Sequence, residues 1–135
     1  MILAALDGSD TSLRAAAYAA GLARRQHSRL VCLYVQPYNA AAGVAAGAAI
    51  SMQEAYDEVA AELRQAFEAQ LPRLGVDAEF VVREGNPFTE IVRLAGEVQA
   101  DAVIVGASTK AGHRLVGSLA VHLVRAARWP VTVVP

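Results

Sequence analysis

The chain is poor in cysteine: Cys32 is the only one in 135 residues. A single thiol excludes an intramolecular disulfide and any zinc cluster built on several thiolates. Its place inside the apolar run 30–35 marks it as a buried thiol rather than a redox centre. Charge of either sign is also not in excess, with 12 Lys+Arg against 13 Asp+Glu and a formal net charge of −1. No basic surplus therefore points to a nucleic acid or to an anionic membrane surface. Nor does any run approach the roughly 18 consecutive apolar residues of a membrane-spanning helix. The 55% hydrophobic content rests largely on alanine. Met1 leads directly into a strand-like run closed by Asp7 and Gly8, without the basic and then apolar regions of a signal peptide, so the chain is expected in the cytoplasm. Catalytic and metal signatures are missing too: no Walker loop, no Gly-x-Gly-x-x-Gly, no Gly-x-Ser-x-Gly elbow and no His-Glu-x-x-His occur. His27, His113 and His122 stand far apart without metal spacing, and His27 and His122 read as surface residues. Trp129 and Tyr18 read as core or interface residues rather than cofactor stacks.

What is present is an alternation of short apolar runs with longer helical patterns, the mark of an α/β domain with a mainly parallel sheet. One domain over 1–135 fits the length. Strands are expected over 2–6, 30–35, 78–82, 102–105 and 131–134. A first helix near 12–27 has Ser9, Asp10, Thr11 or Ser12 as its N-cap and presents Leu13, Ala16, Ala17, Ala20 and Ala23 on one face, with Arg14, Arg24 and Arg25 outside. A second, near 52–71, carries the stripe Ala55, Val59, Leu63, Ala66, Phe67 and Leu71 opposite a charged, solvated face. The third begins beside Pro87 and stops near 96–99; the fourth begins near Gly117 and Ser118 and ends before Trp129. Each connection is long enough for a helical crossover, which makes a three-layer sheet the economical packing. Residues 38–50, low in charge and rich in Ala and Gly, read either as a mobile connection weakened by Gly43 and Gly47 or as a lid over the sheet's carboxyl edge.

Candidate chemistry falls at strand ends. After the first strand comes Asp7-Gly8-Ser9-Asp10, and after the fourth a loop over 106–118. If the two strands are neighbours, both loops line one crevice. The second loop has the make-up of an anion cradle: Gly106, Gly112 and Gly117 bring backbone amides close, Ser118 is placed to cap the next helix, Lys110, His113 and Arg114 add positive charge, and Ser108, Thr109 and Ser118 add hydroxyls. The alternative is that the glycines make turns and the cations are solvated. Asp7 is placed either to accept from a ribose hydroxyl or an adenine amine, or to cap the following turn.

In order and spacing, Ile2-Leu3-Ala4-Ala5-Leu6-Asp7-Gly8-Ser9, Glu84-Gly85-Asn86-Pro87, Ala100-Asp101-Ala102-Val103-Ile104-Val105-Gly106, Gly117-Ser118 and Trp129-Pro130-Val131-Thr132-Val133-Val134 resemble the universal stress protein family over essentially the whole chain. The resemblance implies an open three-layer α/β fold of five parallel strands in the order 3-2-1-4-5 with four helices, of the adenine nucleotide α-hydrolase kind. It also implies a homodimer through the edge strand Val131–Val134 and an unidentified protein partner, with no nucleic acid or membrane. The family has members that bind ATP and members that do not, and binders carry Gly-x-x-Gly, a nine-residue spacer and Gly-Ser or Gly-Thr. Here Gly106 and Gly117-Ser118 match, whereas Thr109 stands at the second glycine and seven residues separate it from Gly117, which leaves the loop two residues short. By resemblance Asp7 meets ribose or adenine, Ala5 adjoins the base, and Val35 offers backbone contacts. Gly106, Gly117, Ser118, Leu119 and Ala120 surround the phosphates, with Ser108 and Gly112 in the same loop. The implied function is a stress-response regulatory dimer that binds ATP or another adenine nucleotide, with or without Mg, and is at most a slow ATPase. The alternative is a dimeric interaction module of the same fold without nucleotide. An enzyme of the wider fold group is expected to show a Ser-Gly-Gly-x-Asp-Ser-like pyrophosphate loop, which the first loop is not.

Overall fold

The computed structural model describes residues 1–38, 45–108 and 117–135. Along the chain run β1 (Ile2–Leu6), α1 (Asp10–Arg25), β2 (Leu30–Pro37), α2 (Ala46–Leu74), β3 (Ala78–Gly85), α3 (Pro87–Glu97), β4 (Ala102–Gly106), α4 (Ser118–Ala126) and β5 (Val131–Val134). All strand pairs are parallel, in the order β3-β2-β1-β4-β5. The strand period of two divides the core between the faces. Ile2, Ala4, Leu6, Leu30, Cys32, Tyr34 and Ile104 pack with Ala15, Ala19, Ala20 and Ala23 of α1 and Ala60 and Leu63 of α2. Leu3, Val31, Leu33, Val35, Val103 and Val105 pack with Ile91, Leu94 and Ala95 of α3 and Ala120 and Leu123 of α4. Three layers result, and β1, apolar on both faces, runs through their centre. No helix among the described residues is long and apolar enough to cross a membrane.

The elements differ from the sequence reading where polar groups override the apolar pattern. Helix α1 is capped by Ser9, whose hydroxyl accepts from the Ser12 amide at 3.2 Å. It buries Thr11 and Ser12, while Leu13, expected on the inner face, is 45% exposed. The helix is rotated because its first hydroxyls turn in toward the strand ends. The inner face of α2 runs through Tyr56, Val59, Ala60, Leu63 and Phe67, and Ala55 and Ala66 are exposed. That helix also begins at Ala46, so the end of the Ala/Gly-rich segment is helical rather than a loose connection; the segment's residues 39–44 lie outside the described residues. Strands β2 and β3 continue past the apolar runs because they pair with each other through Gln36↔Glu84 and Pro37↔Gly85. Helix α4 takes Gly117, not Ser118, as its N-cap.

The thiol of Cys32 is 1% exposed, and burial pushes its pKa up to about 12. It stays protonated at neutral pH, and its contribution to stability declines as pH rises above the unfolded-chain value of about 8.5. Cys32 is expected to resist a thiol-specific disulfide reagent at pH 8 in the native state and to react at once in guanidinium; rapid native labelling would contradict the burial.

Candidate functional site

Consecutive connections leave β1 and β4 toward opposite ends of the sheet, and the two strands lie side by side. In open α/β sheets a crevice forms at such a switch point, beyond the carboxyl ends of the strands. Here it is a cleft of about 450 Å³. Ala5, Leu6, Leu33, Val35, Val105 and Gly106 form its floor, and Tyr56, Val59, Pro87, Ile91 and Leu119 stand on the surrounding helices. Polar groups enter mainly from one side: Asp7, Ser9, Ser12, Tyr34 and Tyr56. A mostly apolar slot of this size with a few polar groups suits a planar ring carrying hydrogen-bonding substituents.

The loop after β1 is fixed by its own hydroxyls. Asp7 Oδ1 accepts from the Ser9 amide at 2.9 Å and from the Ser9 hydroxyl at 2.6 Å. Ser9 Oγ lies 3.1 Å from Thr11 Oγ1, which donates to the Ala107 carbonyl at 2.7 Å. The Ser12 hydroxyl donates to the Ser9 carbonyl at 2.8 Å. Burial pushes the Asp7 carboxyl up, and the hydrogen bonds from the Ser9 hydroxyl and amide, with Ser12, outweigh it and hold the group below the usual carboxylate range. Asp7 is therefore an anion at neutral pH, oriented through one oxygen. Asp7 organises the turn, as one of its two sequence readings has it, and it also lines the cleft.

Gly106 closes the other side. A Cβ there would lie 2.6 Å from the Ser12 nitrogen and 2.6 Å from the Thr11 carbonyl carbon, so the end of β4 meets the start of α1 backbone to backbone. At Gly117 a Cβ would come within 2.8 Å of the Ser108 Cβ. Of the residues singled out in the sequence, Ala5, Asp7, Val35, Gly106 and Leu119 line the cleft together. Ser108, Gly117 and Ser118 follow at its β4–α4 side without lining it, and the Ala120 side chain is buried in the core against α3 and the sheet. Gly112, with Thr109, Lys110, His113 and Arg114, lies outside the described residues. Tyr34, Tyr56, Pro37 and Ile91 line the cleft without having been foreseen. Tyr34 reads as core in the sequence because its neighbours are apolar, and the one available signal was its even position in β2 beside Gln36. Gln36 donates to the Tyr56 carbonyl at 3.4 Å and to Asp57 at 3.2 Å, which ties the α2 wall to β2. Among the described residues no group of three His, Cys, Asp or Glu side chains is placed to hold a metal ion.

The parallel order with a crevice between β1 and β4 defines a doubly wound α/β protein of the adenine nucleotide α-hydrolase kind. The model of the universal stress protein family matches residues 1–135. A universal stress protein of Methanocaldococcus jannaschii is 31% identical over 131 residues, covering 95% of this chain and 77% of that protein. Among solved structures, the universal stress protein UspA of Lactobacillus plantarum superimposes with a TM-score of 0.84 at 26% identity, covering 99% of this chain and 96% of that one. A universal stress protein family member of Burkholderia pseudomallei gives 0.77 at 29% identity, covering 99% and 94%. The chain belongs to the universal stress protein family.

Replacing Asp7 by Asn removes a group whose depressed pKa adds stability above the unfolded value of about 3.9 and loses it as pH falls through the folded value. The gap in denaturant midpoint between wild type and Asp7→Asn is expected to narrow below about pH 4; a gap that stays constant down to pH 2.5 would mean the carboxylate is not held by Ser9. Gly106→Ala is expected to cost about 1–3 kcal/mol through overpacking, read as a lower urea midpoint at unchanged slope. An unchanged midpoint would disprove the close contact with Thr11 and Ser12.

Proposed function

We propose that this chain is a regulatory, adenine-nucleotide-binding universal stress protein: a single cytoplasmic domain over 1–135 that works as a homodimer and holds the nucleoside half of its ligand between β1 and β4. One observation carries the reading, an ionised and hydrogen-bonded Asp7 at the mouth of an otherwise largely apolar switch-point cleft. The donor set fits the group, since an acceptor-only carboxylate beside flat apolar walls complements a purine amine or a sugar hydroxyl. Solved structures of the same fold include an Arabidopsis thaliana family protein with AMP bound, an Archaeoglobus fulgidus protein in complex with dAMP and a universal stress protein in complex with cAMP. Adenine is the moiety those ligands share; the ribose diol is incomplete in dAMP and cAMP.

On this reading Asp7, Ala5 and Val35 meet the nucleoside. Gly106, Gly117, Ser118, Leu119 and the Ala120 amide surround the phosphates with Ser108 and Gly112, and any Mg²⁺ enters with the phosphates. The N-terminus of α4 favours an anion through its free amides and dipole. Asp7, already an acceptor for Ser9, is arranged to orient a ligand rather than to activate water, so ATP hydrolysis is slow at most and occupancy is the output. Dimerisation uses β5, which stands at the sheet edge with Val131 and Val133 leaning on the inner core. A second reading, a dimeric interaction module without nucleotide, draws on Thr109 at the second glycine position and a loop two residues short.

Calorimetric titration with Mg-ATP, ADP and AMP, beside a chromatographic assay for nucleotide released on denaturation, decides between them. Micromolar binding that weakens at least tenfold in Asp7→Ala is expected, and Gly117→Val is expected to weaken phosphate-rich ligands most because its side chain meets Ser108. Tight AMP with weak ATP would confine the site to the nucleoside half. Absence of binding and of retained nucleotide would contradict the proposal and favour the interaction module.

A further inference from the structure

Strand β3 stands at the edge of the sheet opposite β5. It pairs with β2 over its whole length, Ala78–Gly85, and no described strand lies on its other side. In this parallel ladder the Leu30 amide donates to the Asp77 carbonyl at 2.9 Å, which sets the odd-numbered residues of β3 toward β2. The amides and carbonyls of Ala78, Phe80, Val82 and Glu84 therefore face outward. Such a row of outward ladder groups is a template for another strand, and side chains decide which strand can use it. Phe80 is buried beneath Arg64, whose guanidinium lies 5.1 Å from the ring centre, and Val82 packs on the same core. The opposite face carries the odd positions Glu79, Val81 and Arg83. Glu79 is exposed, Val81 is half-buried, and Arg83 donates to Glu97 at 2.6 Å while its side chain stays 32% exposed. Opposite charges thus stand at equal distances on either side of Val81.

We propose that β3 is a self-association edge: a second copy of this chain lays its own β3 antiparallel along it, with the two-fold axis through Val81. In that register Glu79 of each copy faces Arg83 of the other, and Phe80 and Val82 exchange both backbone bonds through their outward groups. Positions 79 and 83 then form a non-hydrogen-bonded pair, the closer of the two antiparallel pair types, where opposite charges stabilise and like charges do the reverse. Arg83 keeps Glu97 at the same time, because a guanidinium carries several donors. Centring the axis on Glu79 or on Arg83 sets like charges opposite each other, and centring it on Phe80 or Val82 leaves Glu79 facing Val81 or Gly85. The charges that bar promiscuous pairing therefore leave one register complementary within the strand. A second copy matches this pattern twice, which an extended segment of unrelated sequence does not. The contact lies at the sheet edge opposite β5 and does not rest on the nucleotide reading; with β5 joined as proposed above, it links dimers in line.

Val81→Cys tests the register, because at the axis the two thiols meet across a non-hydrogen-bonded pair with α-carbons about 4.5 Å apart, within disulfide range. The native thiol, Cys32, is buried and leaves the background clear. Under mild oxidation Val81→Cys is expected to run at twice the chain mass on a non-reducing denaturing gel, while wild type stays at the mass of one chain. Adding either Glu79→Arg or Arg83→Glu to Val81→Cys is expected to slow the linking about tenfold, since each sets like charges opposite each other twice. Mixing those two double variants is expected to restore it as a mixed dimer, because each supplies the charge that the other lacks. Thermal unfolding checks that every variant is folded; Glu79→Arg changes an exposed side chain and carries the test alone if Arg83→Glu, deprived of its bond to Glu97, does not fold. Linking at an equal rate with and without Glu79→Arg would overturn the proposal as a chance collision of exposed thiols. Folded Val81→Cys that does not link at all would overturn it too, and would leave the edge to an extended segment of another protein.

Discussion

Everything at the site depends on the contact between Gly106 and the first turn of α1. With no Cβ at this position, the end of β4 lies against the backbone of Thr11 and Ser12, and the Thr11 hydroxyl fastens the same place by donating to Ala107. That contact sets the distance between the loop after β1 and the segment after β4, and so the width of the crevice between them. It also explains why α1 turns its hydroxyls inward and leaves Leu13 in solvent. A helix whose first residues must satisfy polar groups at a strand end cannot place its largest apolar residue there as well.

From this anchor the electrostatics follow. Ser9 caps α1 and donates to Asp7 through the same hydroxyl that accepts from Ser12, so one side chain serves the helix start and orients the carboxylate. The cost of bringing the anion to the edge of an apolar cleft is offset by fixed hydrogen bonds, and its position does not depend on a mobile counter-charge. On the far side, Gln36 ties β2 to the α2 wall that carries Tyr56. The cleft is thus framed on at least two sides by elements tied together through hydrogen bonds, the arrangement that pre-organises a site.

The layer architecture was legible because the strands are apolar, short and separated by helix-length intervals, and Ile2–Leu6 and Val131–Val134 have the expected bounds. The strand order was not derivable from spacing and came from the resemblance, which the structure bears out. Boundaries failed where polar residues continue a regular element. Gln36 and Glu84 extend paired strands beyond the apolar pattern, and Gly47 sits inside α2, where the Ser51 hydroxyl donates to its carbonyl. Asp7 and Gly106, which line the cleft, were legible as candidates because a carboxylate and a glycine are conspicuous at strand ends. Tyr34 was not, since a tyrosine inside an apolar run looks like core; only three-dimensional packing shows that the residue belongs to the core and also lines the cleft.

The most direct measurement of the central claim, that the β1–β4 crevice is a nucleotide site organised by Asp7, is a crystal structure of the protein grown with AMP. The account predicts the purine between β1 and β4 with Asp7 within about 3 Å of a donor on the nucleoside. A nucleotide bound elsewhere, or an empty crevice at ligand concentrations that saturate binding in solution, would contradict it.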